Sequence, residues 1–221
     1  MKKIAQDVFQ IQLLPRNSIN AYVIGSVLVD AGIRSSGVKI LNGIGNKEIK
    51  AHVLTHAHAD HQGASAFVCK TLNIPFWCGE EDKTTAVNGL VTSKFPDPDS
   101  LISRLQQRYW AGPGYPVEKT LKEGDMVGDF QVLNTPGHSD GHIVFWRESD
   151  RVLIAGDVVI NMNMLTTIPG LSEPPAIFTK DIITNRQSIK KIASLNPNIL
   201  CVGHGPPLYD TKQLLDLANQ W

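Results

Sequence analysis

Thr55-His56-Ala57-His58-Ala59-Asp60-His61 places three imidazoles and a carboxylate in one short stretch, directly after the apolar run Ala51 to Leu54. Given the chain's stock of His and Asp, an HxHxDH match would arise by chance in roughly one such chain in two thousand. If the apolar run is a strand that stays extended into the cluster, His56 and His58 point the same way, because side chains two apart share a face. Asp60 and His61 then open the turn into a helix and reach the same pocket from the other side. Imidazole and carboxylate together suit zinc, iron or manganese rather than a thiolate site.

An apolar run that ends in a potential ligand recurs three times downstream. Val132 to Gly137 runs into His138, Val152 to Gly156 into Asp157, and Ile199 to Gly203 into His204. A glycine precedes each, as expected where the backbone must turn tightly to aim a side chain. Five of the seven histidines sit at these four exits. One strand-end histidine would be unremarkable, but four matched exits predict a shared metal pocket at one edge of the sheets.

Around the exits, strands and helices alternate. Strands are expected at Ile19 to Ile24 and Val27 to Asp30, separated by the Gly25-Ser26 turn, and again at Val127 to Leu133, His142 to Trp146, Val152 to Ala155 and Ile199 to Val202. Helices are expected near Ser35 to Gly45, directly after His61 with Ala64, Phe67, Val68, Thr71 and Leu72 on one face, over Lys180 to Leu195, and at the C-terminal end. Residues 76 to 118 differ. They are rich in Pro and Gly, hold Trp77, Tyr109, Trp110 and Tyr115, and read as an excursion with a helix near Leu101 to Tyr109 that covers the metal edge.

Lys plus Arg is 21 and Asp plus Glu is 21, so no net field draws phosphate backbones or anionic membranes to the chain. No unbroken apolar run approaches the ~18 residues that span a bilayer. Three cysteines, Cys69, Cys78 and Cys201, do not form a disulfide framework and read as packed small residues. The expectation is a cytoplasmic protein with a small-molecule partner, no nucleic acid and no membrane; a monomer and a homodimer both stay open.

Five motifs in order resemble those of the metallo-β-lactamase fold superfamily of metal-dependent hydrolases: Asn20 to Gly32 with Asp30 at the strand's end, the HxHxDH cluster, Thr135-Pro136-Gly137-His138-Ser139, Gly156-Asp157 and Gly203-His204-Gly205. The resemblance runs nearly the whole length and implies an α/β (α+β) fold, an αββα sandwich of two mixed sheets face to face with outer helices, in a single domain of residues 1–221. It implies that His56, His58 and His138 hold one divalent ion, that Asp60, His61 and His204 hold another, and that Asp157 bridges them. Zinc is the first expectation for both, with iron or manganese as alternatives. Two such ions would share a water, lower its pKa and polarise a substrate carbonyl. Asp60 is then the candidate for protonating the leaving group. Asp30 would orient a ligand histidine through the ring nitrogen not bound to metal.

The resemblance leaves the substrate open among thioesters, lactones and other esters, with β-lactam hydrolysis as a minor activity. The commonest zinc β-lactamases carry a cysteine where Asp157 stands. Glyoxalase II enzymes share the Thr-Pro-Gly-His-Ser and Gly-His-Gly segments but add a helical region that grips glutathione, whereas only seventeen residues follow His204. Quorum-quenching lactonases use the same all-His/Asp set. Persulfide dioxygenases use a similar set around a single iron, which makes an oxidoreductase the alternative from another class. Tyr109, Trp110 and Tyr115 are candidates either to touch substrate or to staple the excursion to the core. Met162 and Met164 could line the pocket wall, while His52 and His142 read as structural.

Overall fold

The computed structural model describes residues 1–221. Its first sheet has seven strands in chain order: β1 (Lys2–Ala5), β2 (Val8–Gln12), β3 (Asn20–Ile24), β4 (Val27–Val29), β5 (Ala51–Val53), β6 (Phe76–Gly79) and β7 (Lys119–Leu121). The second holds β8 (Met126–Val127), β9 (Phe130–Asn134), β10 (Ile143–Arg147), β11 (Val152–Gly156) and β12 (Ile199–Val202), ordered β12-β11-β10-β9-β8. Both are mixed. The first is antiparallel through β4 and parallel beyond it, and the second is antiparallel except where β11 pairs β12.

Strand alternation sorts the apolar residues into three layers. Between the sheets lie Tyr22, Val29 and Val53 from one side and Phe130, Phe145 and Ile154 from the other. The neighbours Ala21, Val23 and Leu28 face outward onto α1 (Gly37–Ile44), α3 (Ser65–Leu72) and α4 (Lys83–Asn88) through Ile40, Val68 and Ala86. On the opposite face Val144, Leu153 and Leu200 meet α6 (Ile182–Ser194) and α7 (Lys212–Ala218) through Ile189, Ile192 and Leu214. The central strands β3, β4, β5, β10 and β11 are therefore buried along their whole length, as strands covered on both faces require. The result is the αββα four-layer sandwich that the motifs implied.

Three local expectations are corrected, and one hairpin lies where none was expected. The β1–β2 hairpin was not legible because Gln10 breaks the alternation; it is buried, and its Nε2 donates to Asn20 Oδ1 at 2.9 Å. The stretch 76–118 opens with a core strand, since Phe76 and Cys78 are fully buried and β6 pairs parallel to β5. The helix after the histidines starts inside the cluster, as the short α2 (Ala59–Gln62), and restarts as α3 after Gly63-Ala64. That restart shifts the buried face to Ser65, Ala66, Val68 and Cys69 and leaves Phe67 45% exposed. Val127 to Leu133 divides at Gly128, which turns with φ 62° between β8 and β9. The helix α5 (Leu101–Tyr109) forms where expected, with the Ser100 hydroxyl accepting from Ser103 N–H at its start.

Candidate metal centre

The sheets deliver the side chains that the sequence marked. β5 leads through Leu54 and Thr55 to His56, and His58 is still extended (φ −94°, ψ 164°) as it caps α2. Asp60 and His61 follow on that helix, and β9, β11 and β12 run out toward His138, Asp157 and His204. Candidate ligand atoms of His56, His58 and His138 lie within 4.8 Å of one another, as do those of His56, His61 and Asp157 and those of Asp60, His61 and His204. Asp157 Oδ2 stands 3.0 Å from His204 Nε2, 3.3 Å from His61 Nε2 and 3.8 Å from His138 Nε2. One carboxylate oxygen thus reaches both halves of the cluster.

Hydrogen bonding behind the cluster fixes which nitrogen faces inward. Thr55 Oγ1 donates to Asp30 Oδ2 at 2.9 Å, so the 3.1 Å contact to His56 Nδ1 is a bond that the ring donates. Thr179 Oγ1 donates to the Pro175 carbonyl, and His138 Nδ1 in turn donates to Thr179 at 3.2 Å. His61 Nδ1 donates to Asp30 Oδ2 at 2.9 Å, and His204 Nδ1 donates to the Ser18 carbonyl at 2.5 Å. With all four Nδ1 protons committed outward, each Nε2 is the nitrogen turned to the centre. Nε2 of His56, His61 and His138 and Oδ1 of Asp157 are buried without a partner. Buried polar atoms left without partners are what a bound ion would satisfy, and imidazole nitrogen with carboxylate oxygen is a donor set that fits a divalent transition metal.

The electrostatics divide the cluster in two. Burial, reinforced by the neighbouring imidazoles, keeps His56 well below its ordinary pKa, and burial brings His138 down to about 4. His58 is lowered for the same reason. Burial opposes charge on His61 and His204 too, yet Asp157 outweighs it at both, helped by Asp30 at His61 and by Asp60 at His204, which rises to about 10. The same contacts hold Asp60 and Asp157 ionised against their own burial.

Three supporting residues carry roles that the sequence did not show. Asp82 is buried and accepts three bonds, from Ala57 N–H at 2.9 Å, Ser139 Oγ at 2.8 Å and Gly141 N–H at 3.1 Å. It therefore ties the loop between His56 and His58 to the loop after His138. Burial raises its pKa while these bonds pull the other way. It follows two glutamates, so in sequence it reads as part of a solvated acidic run. Thr179 was equally silent, while His142 was read only as a structural neighbour. His142 Nε2 accepts the Asp157 backbone N–H at 3.1 Å, its Nδ1 bonds Thr135 Oγ1 at 2.8 Å, and its ring stacks on His56 with centroids 4.9 Å apart. His52 lies in the wall of the sandwich, with both ring nitrogens bonded, to the Leu28 carbonyl and to Ser65 Oγ.

A cavity of about 840 Å³ opens from His58, Asp60, His138, Asp157 and His204. Tyr109 and Trp110 line it together with Met162 and Met164. Tyr115 does not: it packs on the outer layer of the first sheet against Phe76, with ring centroids 6.3 Å apart, under the Lys70 ammonium. The Gly112 to Gly114 turn carries it there, because Gly114 comes so close to the Val87 carbonyl that a Cβ would lie 2.0 Å from it.

Comparison with known proteins places this geometry. A family model described as the metallo-beta-lactamase superfamily matches residues 14–204. The probable metallo-hydrolase YflN of Bacillus subtilis is 31% identical, over 88% of this chain and 81% of its own. Among solved structures, the B3 metallo-beta-lactamase BLEG-1 superposes with TM-score 0.72 at 26% identity, covering 95% of this chain and 96% of that one. TTHA1623, in a di-iron-bound form, superposes with TM-score 0.69 at 28% identity, covering 96% and 97%.

Proposed function

This chain belongs to the metallo-beta-lactamase superfamily of hydrolases, and we propose that it is a binuclear metal-dependent hydrolase of a small carbonyl substrate such as a thioester, lactone or other ester. The observation that carries this reading is the convergence of four inward-facing Nε2 atoms with Asp60 and Asp157, directly beneath a cavity that His58, Asp60, His138, Asp157 and His204 line. His56, His58 and His138 would hold one ion, Asp60, His61 and His204 the second, and Asp157 would stand between them. Zinc is the first choice for such a set, with iron or manganese as alternatives.

Held by these residues, two such cations would supply Lewis acidity, activating a water and polarising a carbonyl. The chain's own groups do the rest. Asp60 is the more exposed of the two ionised carboxylates that line the cavity, with Oδ2 3.2 Å from His204 Nε2, so Oδ2 can take a proton and return it to the leaving group. Asp30 holds the His61 ring by its far nitrogen, and Asp82 fixes the backbone on both sides of the His56, His58 and His138 group. Residues 80–118 supply Phe95, α5 and Trp110 to the cavity wall, which supports their role as a cap that shapes substrate choice and excludes water.

The test pairs elemental analysis of purified protein with a panel of esters, thioesters, lactones, phosphodiesters and β-lactams. Two equivalents of metal with hydrolysis of carbonyl substrates is the expected result. One equivalent of iron with glutathione-dependent oxygen consumption would replace this reading with an oxygenase, and β-lactam turnover above ester turnover would reassign the substrate.

A further inference from the structure

The cavity's walls carry a charge pattern that narrows its substrate. One wall comes from α5, where Ile102, Leu105, Gln106 and Tyr109 recur at i, i+3, i+4 and i+7 and so face the cavity together. Arg104 and Arg108 fall outside that register and do not line it. The facing wall is built from Met162, Leu165, Pro174, Ile177 and Phe178. No lysine or arginine lines the cavity anywhere. Beyond the histidines and aspartates of its floor, its one formally charged side chain is Glu173, which is paired to Arg186 by two contacts of 2.9 and 3.0 Å. Lys94 and Lys180, on neighbouring segments, are both engaged by Asp140, at 3.2 and 2.6 Å.

An anionic group entering this space beyond the cations would lose its hydration against apolar walls and one acidic side chain, with no cation to replace it. An alkyl or acyl chain would instead cover side chains that now face water, such as Leu165 at 95% exposure and Ile177 at 57%. We propose that the substrate is a carbonyl compound with an apolar acyl or alkyl portion of several carbons and no net charge away from the scissile group, and that the cavity selects against substrates bearing a carboxylate or phosphate there. The proposal rests on the hydrolase reading and specifies which carbonyl compounds that site takes. It ranks neutral esters, thioesters and lactones above glutathione thioesters, β-lactams and phosphodiesters.

The experiment uses metal-loaded full-length protein and two ester series of matched length. In the neutral series, p-nitrophenyl butanoate to octanoate, kcat/KM should climb by roughly threefold per methylene. The p-nitrophenyl monoester of octanedioic acid should be at least tenfold poorer than the octanoate. Leu105→Arg, with metal content measured, should narrow or reverse that ratio, because it places a cation on the wall without touching the floor. A carboxylate drawn to the floor would not respond to this change. Calorimetric binding of N-methyloctanamide against its ω-carboxylate analogue gives a readout independent of turnover. Equal or better hydrolysis or binding of the ω-carboxylates, or a flat dependence on chain length, would overturn the proposal while leaving the hydrolase reading intact. Selective binding of the neutral ligand with no turnover of any ester would uphold it while removing that reading.

Discussion

Asp30 Oδ2 accepts the Nδ1 proton of His61 at 2.9 Å, while Asp30 Oδ1 accepts the backbone N–H of Thr55 at 2.8 Å. A single buried carboxylate thereby sets the rotation of one candidate ligand and the strand end that delivers another. Asp30 itself lies at φ 60°, a left-handed conformation that Asp tolerates better than most residues. Asp30→Asn keeps its size but offers an NH₂ group where one of these donors needs an acceptor. Metal affinity should fall by about 10- to 100-fold, measured by competition with a chelator. Unchanged affinity would show that packing alone holds the His61 ring.

Asp82 makes a different case, because its acceptors serve backbone rather than a ring. Asn retains one side-chain acceptor, so Asp82→Asn leaves at least one of the Ala57, Ser139 and Gly141 donors unpaired in a buried site. The expected cost is about 1–3 kcal/mol in urea unfolding. Metal should be lost first from the half formed by His56, His58 and His138, whose loops Asp82 joins. Loss of stability without any change in metal stoichiometry would confine Asp82 to the scaffold.

Asp60→Asn tests the proton carrier. The substitution removes both the charge and the proton at the more exposed carboxylate of the cavity floor, and turnover should fall about 100-fold or more. Metal content is measured alongside, since a lost ion would mimic lost chemistry. Near-wild-type turnover in a fully loaded variant would move the role to another group.

The strand exits were readable because the pattern there is chemical: His and Asp at the ends of apolar runs are costly to bury unless a cation receives their lone pairs. The alternation of strands and helices pointed only to a layered α/β or α+β domain; the αββα sandwich came from the resemblance that the five motifs carry. Asp82 and Thr179 were not readable, because each acts across the fold on a residue more than twenty positions away and each sits in a stretch whose local composition suggests solvent. Tyr115 was read by residue type, and type does not tell which side of the sandwich a Gly-Pro-Gly turn faces. The β1–β2 hairpin was hidden by Gln10, whose burial depends on Asn20, a partner that no periodicity announces.

Gly203 precedes His204, and its demand is space rather than an unusual φ. A Cβ there would lie 2.2 Å from Asp157 Oδ1 and 2.7 Å from His61 Cε1. Gly203→Ala must therefore push the Asp157 carboxylate or the His61 ring out of place. The expected outcome is a folded protein with an unchanged circular dichroism spectrum that binds less than its full complement of metal. Full metal occupancy would mean that β12 shifts to accommodate the methyl group.

His52 gives the acid stability of the sandwich a testable component. Burial brings its pKa down from 6.5 to about 4, opposed by its bond to the Leu28 carbonyl. The folded protein therefore keeps this ring neutral, whereas the unfolded chain protonates it near pH 6.5. Below that pH the unfolded state binds the extra proton, so stability is lost as pH falls from 6.5 toward 4 and is fully present above 6.5. The window corresponds to about 3 kcal/mol at 1.36 kcal/mol per pH unit. His52→Gln removes the titration along with the stacking on Phe76, whose ring centroid is 5.2 Å away. The variant should be less stable than wild type at pH 7.5, and the difference should shrink as the pH approaches 4. Urea unfolding of both proteins in chelator isolates the effect, because the histidines of the metal centre titrate alike in the two and cancel in the difference. A gap that stays constant across this range would show that His52 is not held neutral by the fold, and the acid lability would then have to come from the metal centre.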